Sequence, residues 1–177
     1  MVSMRKLLFF ALLLIGVGAL FTWRNSSETT AVNPEPDNGS SFRPDPSSAT
    51  FNFGEEVVTL SKGENVELGT ETDLLQVTGY GDLNNDNKED AVVLMARSGG
   101  GSGVFIYIAA YVSGPVSYKG TNAIYVGDRV SPQSISVQGG IATLTYLDRE
   151  ADEPFAAEPT VSTSKRFSYT NGEFVER

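Results

Sequence analysis

Two reactive residue types are missing from this chain: its 177 residues include no cysteine and no histidine. A Cys nucleophile, a Ser–His pair and a His general base are therefore excluded. Structural zinc sites built from Cys and His are excluded as well. Without cysteine there are no disulfides and no lipid-modified cysteine, so an exported domain must be held together by its core, with a bound ion as the available brace.

Positive charge is also scarce. The chain has 13 Lys and Arg against 22 Asp and Glu, which gives a net charge of -9. Residues 51–177 hold nine of the basic and eighteen of the acidic residues, so the whole net charge lies in this part. Binding to a phosphate backbone needs clustered cations. We therefore expect no nucleic-acid partner and a soluble surface domain that calcium can reach.

An uncharged apolar run occupies residues 7–23 and is preceded by Arg5 and Lys6. The run is at the short limit of a membrane span, and the two cations favour a cytoplasmic N-terminus. Trp23 resembles an interfacial anchor, and no clear cleavage motif is present. We expect residues 1–23 to be an uncleaved signal anchor, with a cleaved signal peptide as the alternative. Both place the rest of the chain outside the cell membrane.

Residues 24–50 are rich in Pro, Ser and Asn and nearly free of apolar side chains. Such a segment buries too little surface to offset the entropy of ordering. We therefore predict a disordered linker over 24–50 that holds an extracytoplasmic domain, residues 51–177, away from the membrane. The domain is long enough to form one core.

The pattern of residues 51–177 predicts a mainly β fold, an antiparallel β-meander or sandwich-like single domain. The run 104–112 is continuously apolar, as expected of a central strand covered on both faces. Gly139-Gly140 and Asn171-Gly172 are hairpin turn signals, and no segment has a capped helical period. Strands are predicted at 56–60, 66–68 (paired as a hairpin), 74–79, 90–97, 104–112, 123–126, 134–137, 141–147, 166–169 and 173–175.

The most informative segment is the acidic stretch 82–90. Oxygen donors fall at its alternate positions 1, 3, 5, 7 and 9, which are Asp82, Asn84, Asp86, the backbone carbonyl of Lys88, and Asp90. A tight loop with oxygens in this pattern can wrap a hard cation such as Ca²⁺. Asn87 stands at position 6, where such loops need positive φ, and asparagine tolerates that geometry. We therefore predict a calcium site formed by these five residues.

The surroundings of this loop indicate its type. An EF-hand would have Glu at position 12 and flanking helices, whereas position 12 is Val93 and both flanks have strand composition. The stretch resembles the D-x-[DN]-x-D-G-x-x-D loops of integrin-type and FG-GAP/VCBS β-repeat proteins, which implies an ion bracing a β-hairpin. Asn87 in place of Gly is the departure. Because Asp and Asn also form turns, a metal-free turn is the alternative. The loop occurs once, so no whole propeller is encoded.

A second resemblance is carried by five segments of the domain, 81–93, 100–107, 118–129, 146–149 and 153–160. They resemble a family of exported bacterial domains, some of which are joined to lysozyme-inhibitor-like modules. The resemblance implies an envelope location and a shared fold, and it assigns no activity.

Three further segments have less specific chemistry. The glycine-rich stretch 98–103 precedes a strand, so a hairpin connection is favoured over a phosphate loop. Gly127-Asp128-Arg129 suggests a tight turn with an internal ion pair. The charged stretch 148–153 offers carboxylates for glycoside hydrolysis, but a solvated surface loop is the simpler interpretation.

Three function classes follow. We expect a non-enzymatic envelope binding or interaction module with a calcium-braced hairpin, attached to the membrane through its N-terminal segment, whose ligand the sequence does not identify. An inhibitor of a lysozyme-type cell-wall hydrolase is the alternative, because many lysozymes are basic. A hydrolase using Asp148, Asp152 or Glu153 is the third.

Overall fold

The computed structural model of the protein describes residues 42–177. The predicted signal anchor and most of the predicted linker lie outside the described residues. The described part contains twelve β-strands and one short 3₁₀ turn, Pro46–Ser48, with no α-helix among these residues. The prediction of a mainly β, antiparallel fold is confirmed. Nothing within 42–177 forms a helix long and apolar enough to cross a membrane.

The strands in chain order are β1 (Thr50–Phe53), β2 (Glu56–Thr59), β3 (Glu64–Glu67), β4 (Thr70–Gly81), β5 (Asp90–Gly99), β6 (Phe105–Val112), β7 (Lys119–Gly120), β8 (Ile124–Asp128), β9 (Ser131–Gln138), β10 (Ile141–Asp148), β11 (Val161–Thr170) and β12 (Glu173–Glu176).

These strands form three antiparallel sheets. The largest has the order β3-β4-β5-β6-β7, and β8 also pairs with β6. A four-stranded sheet has the order β12-β11-β10-β9, so that each strand pairs with its neighbour along the chain. The hairpin β1–β2 forms the third sheet.

The large sheet has a hydrophobic core on each of its two faces. One face packs against the four-stranded sheet, where Leu144 and Phe167 are fully buried. The opposite face is covered by the β1–β2 hairpin, which contributes Phe51 and Val58. Because side chains alternate along a strand, the apolar residues 91–95 of β5 supply both cores and are all fully buried.

Two glycines near the end of β4 let it approach β9 closely. A Cβ atom at Gly79 would lie 2.4 Å from Cγ2 of Ile135, and one at Gly81 would lie 2.8 Å from Cβ of Val137. Any larger side chain would force the strands apart. Since Gly81 is the last residue of β4, this close packing fixes where the chain enters the acidic loop.

The predicted pairing of 56–60 with 66–68 is wrong. β2 pairs with β1, with Val58 opposite Phe51, and β3 pairs with β4. The reason is burial: Phe51 and Val58 are both enclosed in the core, whereas the only large apolar side chain of β3, Val66, is 72% exposed. The sequence pattern did not predict β1, because this short strand has only two apolar side chains, Phe51 and Phe53.

Residues 42–50, assigned to the linker from their composition, pack onto the domain. The Asp45 side chain accepts a hydrogen bond from the Ser47 N–H at 2.9 Å. The carbonyl of Ala49 accepts one from the Leu60 N–H at 2.9 Å, and Ala49 is only 5% exposed. This tie to the β2 end explains why a polar, proline-rich stretch is ordered here.

Candidate functional site

The acidic loop 82–90 connects β4 with β5, two central strands of the large sheet. The predicted strand–loop–strand arrangement is therefore confirmed. Asn87 has φ 63°, as its position in the pattern predicted, and Asn85 has φ 61°. Two left-handed residues so close together curl the loop tightly, so that its acidic side chains turn toward its own backbone.

Asp82 and Asn84 direct side-chain oxygens to the same place. Oδ1 of each accepts a hydrogen bond from the Asp86 N–H, at 3.2 and 3.1 Å. The second oxygen of Asp82 accepts from the Asn87 N–H at 2.8 Å. The two side chains thus converge inside the turn.

Asp86 links the loop to a distant part of the chain. Its Oδ1 accepts from the Lys88 N–H at 3.0 Å, and its Oδ2 accepts from the hydroxyl of Ser113 at 2.5 Å. The Lys88 ammonium lies 3.8 Å from the same Oδ2. The Ser113 hydroxyl is the main cause of the lowered pKa of Asp86, and Lys88 contributes further. This carboxylate is held in its charged form.

Asp90 is the buried end of the loop. Its Oδ2 accepts from the Leu83 N–H and its Oδ1 from the Ser113 N–H, both at 2.8 Å. The residue is fully buried, and burial raises the pKa of its carboxyl although both N–H groups oppose that rise. A buried carboxylate with two backbone donors fixes the start of β5 against the end of β6.

Ser113 is the site residue that the sequence pattern did not indicate. It follows β6, in which Tyr111 pairs with Ala91, so the register brings residue 113 beside the loop end. Its N–H and hydroxyl donate to Asp90 and Asp86, and its carbonyl accepts from Nδ2 of Asn84 at 2.9 Å. The pairing of the two predicted strands was the signal that could have located it.

The donor chemistry of the loop fits a hard cation. Carboxylate, amide and carbonyl oxygens are the ligands that Ca²⁺ takes, and each carboxylate oxygen keeps acceptor capacity beyond one hydrogen bond. Within residues 42–177, however, no three acidic side chains are grouped so as to hold a metal by themselves. An ion here needs the amide of Asn84 and the carbonyl of Lys88 as well.

The predicted ligands divide into two groups. Asp82, Asn84 and Asp86 surround the turn, whereas Asp90 uses both oxygens to accept backbone N–H groups on its inner side. The same hydrogen bonds also close the loop without an ion, which is the metal-free alternative.

The second acidic stretch follows β10. Oδ1 of Asp148 accepts from the Arg149 N–H at 2.8 Å, and Oε2 of Glu153 accepts from the Glu150 N–H at 2.9 Å. Asp152 and Glu153 are exposed. These carboxylates therefore line a solvated loop, as the simpler interpretation expected.

Arg149 attaches this loop to the large sheet. Its guanidinium donates to the carbonyls of Ala157 at 2.6 Å, Arg129 at 3.0 Å and Asp128 at 3.3 Å. The Asp128–Arg129 ion pair predicted at the neighbouring turn is present, with one oxygen–nitrogen distance of 2.9 Å. A groove of about 520 Å³ opens between the loop and the strands β6 and β8.

No known protein family, no curated protein and no solved structure matches this chain.

Proposed function

We propose that this protein is a non-enzymatic binding module, anchored in the cell membrane by residues 1–23 and displayed on its outer side, with a calcium-braced loop at 82–90. The observation that carries the proposal lies in one turn between two central strands. There the side-chain oxygens of Asp82 and Asn84 converge on the Asp86 N–H, and the hydroxyl of Ser113 holds the Asp86 carboxylate. A braced hairpin of this kind gives a rigid platform from which neighbouring surfaces can bind a partner.

The ion would be held by Asp82, Asn84, Asp86, the Lys88 carbonyl and Asp90. It would offset the repulsion between the acidic side chains, which Lys88 balances only in part. An ion that binds the native state alone stabilises it by about 2.7 kcal/mol at a hundredfold excess over Kd.

Thermal unfolding of the full chain in detergent, with calcium or with a chelator, tests the brace. We expect calcium to raise the melting temperature, and Asp86→Ala to abolish that rise. Asp152→Ala, in the other acidic loop, is the matched control and should leave it intact. Identical melting curves with calcium and with chelator would show that the loop is a metal-free turn.

The membrane attachment rests on the sequence of residues 1–23 and on the resemblance to exported domains. We expect the protein in the membrane fraction with residues 42–177 open to protease from outside the cell. A soluble mature form that begins after Ala19 would contradict the anchor and leave the export intact.

An inhibitor of a basic, lysozyme-type hydrolase is a second candidate, and the acidic groove beside Arg149 favours it. Inhibition should weaken as salt rises, because exposed charge pairs are screened over about 8 Å at physiological ionic strength. Unchanged lysozyme activity at excess protein would remove this candidate.

A further inference from the structure

The groove beside the 148–157 loop has aromatic walls, and we call it the aromatic groove. Its rings are unusually open to solvent: Phe105 is 41%, Tyr125 48% and Phe155 61% exposed. Besides these rings, the groove is lined by four carboxylates and one guanidinium, those of Asp128, Asp148, Glu150, Glu153 and Arg149. Adjacent exposed rings in a concave site are typical of binding surfaces.

The groove continues a row of aromatic contacts on the face of the large sheet that the β1–β2 hairpin covers. Ring centroids are 6.3 Å apart between Phe105 and Tyr125 and 5.6 Å apart between Tyr107 and Tyr125. Tyr107 in turn contacts Phe53 at 5.0 Å. β6 and β8 thus position the Phe105 and Tyr125 rings, and the 148–157 loop supplies the opposite wall with Phe155.

The charge of the lining is negative. Four carboxylates line the groove against one guanidinium, on Arg149, which donates to three backbone carbonyls. One of the four, Asp128, is paired with Arg129 at the edge of the groove, and Asp148, Glu150 and Glu153 are the other three. Burial, followed by the charges of Asp128 and Asp148, raises the pKa of Tyr125. The negative charges of the lining therefore act at the Tyr125 ring, which favours a cationic ligand.

At the edge of the groove, Arg129 of this chain makes the two contacts that a bound guanidinium would make, one with an aromatic ring and one with a carboxylate. The guanidinium carbon of Arg129 lies 4.9 Å from the centroid of the Phe155 ring. The same group donates to both carboxylate oxygens of Asp128, at 3.0 and 2.9 Å. A ring face beside a carboxylate matches the planar guanidinium better than it matches an ammonium group.

We propose that the aromatic groove binds an arginine-bearing segment of a basic partner protein, with the guanidinium stacked on Tyr125 or Phe105 and paired with the carboxylates of the rim. This rests on the proposed function as a binding module and gives it a surface and a partner chemistry. The calcium loop is not part of the groove.

The test is a titration of the full chain in detergent with a fluorescent hexa-arginine peptide at low salt. Tyr125→Ser should weaken binding at least about fivefold, which is in the range of one lost cation–π contact. Phe42→Ser removes another exposed ring, 72% exposed and outside the groove, and should change binding less than about twofold.

A second pair of variants avoids any loss of folding. Glu150 and Asp152 are both exposed, and only Glu150 lines the groove. Glu150→Gln should weaken binding of the peptide, and Asp152→Asn should not. Equal effects of these two substitutions would reduce the interaction to net charge and overturn the proposal.

Two further ligands decide the chemistry. Hexalysine should bind more weakly than hexa-arginine, and equal binding of the two would overturn the stacking geometry. Binding of the neutral chitohexaose, sensitive to Tyr125→Ser, without binding of hexa-arginine would make the groove a sugar site. Calcium-dependent melting measured on the same samples separates the failures: if it persists while hexa-arginine fails, the groove proposal alone is lost.

Discussion

The acidic loops 82–90 and 148–157 each hold four acidic residues and one basic residue, and their organisation is opposite. In the first, a buried anion, Asp90, collects backbone N–H groups from two parts of the chain. In the second, a cation, Arg149, donates to three backbone carbonyls, and Glu150, Asp152 and Glu153 around it are exposed. Acidic residues thus build the structure in one loop and form a surface in the other, and the count of charges does not distinguish the two roles.

Asp90→Ala should have the largest effect on stability. It leaves the buried N–H groups of Leu83 and Ser113 without acceptors, at about 1–3 kcal/mol for each group. We expect the free energy of unfolding to fall by about 3 kcal/mol or more, measured by urea denaturation in chelator. Asp90→Asn keeps one acceptor oxygen, so its free energy of unfolding should lie between those of Asp90→Ala and the wild type. A loss below about 1 kcal/mol would show that water replaces the carboxylate.

Arg149→Met tests the residue that holds the second loop, 148–157, to the large sheet. The substitution keeps an apolar stem and removes every guanidinium donor, so we expect a loss of about 2 kcal/mol, the usual range for hydrogen bonds from a charged group. The same substitution at exposed Arg166 is the control and should change stability by less than about 0.5 kcal/mol. The loss at Arg149 should be the same with and without calcium. A calcium-dependent loss would mean that the loops are coupled.

Ser113→Ala should have a smaller effect within the first loop. It removes the hydroxyl donor to Asp86 and leaves the backbone donor to Asp90 in place, so we expect about 1 kcal/mol. The pKa of Asp86 should rise toward its ordinary value, which NMR titration of the carboxyl carbon can follow. Ser117→Ala, an exposed serine in the same connection, is the control. An unshifted Asp86 would contradict the hydrogen bond.

The smallest effect concerns pH in the second region. The hydrogen bonds from Arg129 lower the pKa of Asp128 below its ordinary 3.8. As pH falls, Asp128 is therefore protonated in the unfolded chain before it is protonated in the folded one. The stabilisation by this carboxylate is complete above its unfolded pKa and is lost as pH falls through its lower folded pKa. The melting-temperature advantage of wild type over Asp128→Asn should shrink between pH 5 and about pH 2. Asp152→Asn should show no such trend, and a constant advantage would contradict the ion pair.

Local patterns were sufficient to predict much of the fold. Continuous apolar stretches located β5 and β6, and Asn171-Gly172 located the last hairpin. The alternate oxygens also predicted the acidic loop and the left-handed Asn87. These features depend on residues that are neighbours along the chain.

Contacts between distant segments were not predictable in this way. Ser113 reaches Asp86 only because β5 and β6 pair in one register. The pairing of β2 with β1 depends on which apolar side chains the core encloses, and the role of Arg149 depends on where β8 ends. A single sequence does not encode these relations as a local pattern.

The burial of β5 has a consequence for hydrogen exchange. Its residues 91–95 are enclosed on both faces, and its first residue, Asp90, is also the last residue of the acidic loop. Amides of such a strand exchange only when the whole domain opens. An ion gained or lost at the loop should therefore slow or speed exchange throughout β5 and β6, far beyond the groups it touches. The effect of the ion on exchange in β5 and β6 would therefore measure the stability of the whole domain and not a local opening of the loop.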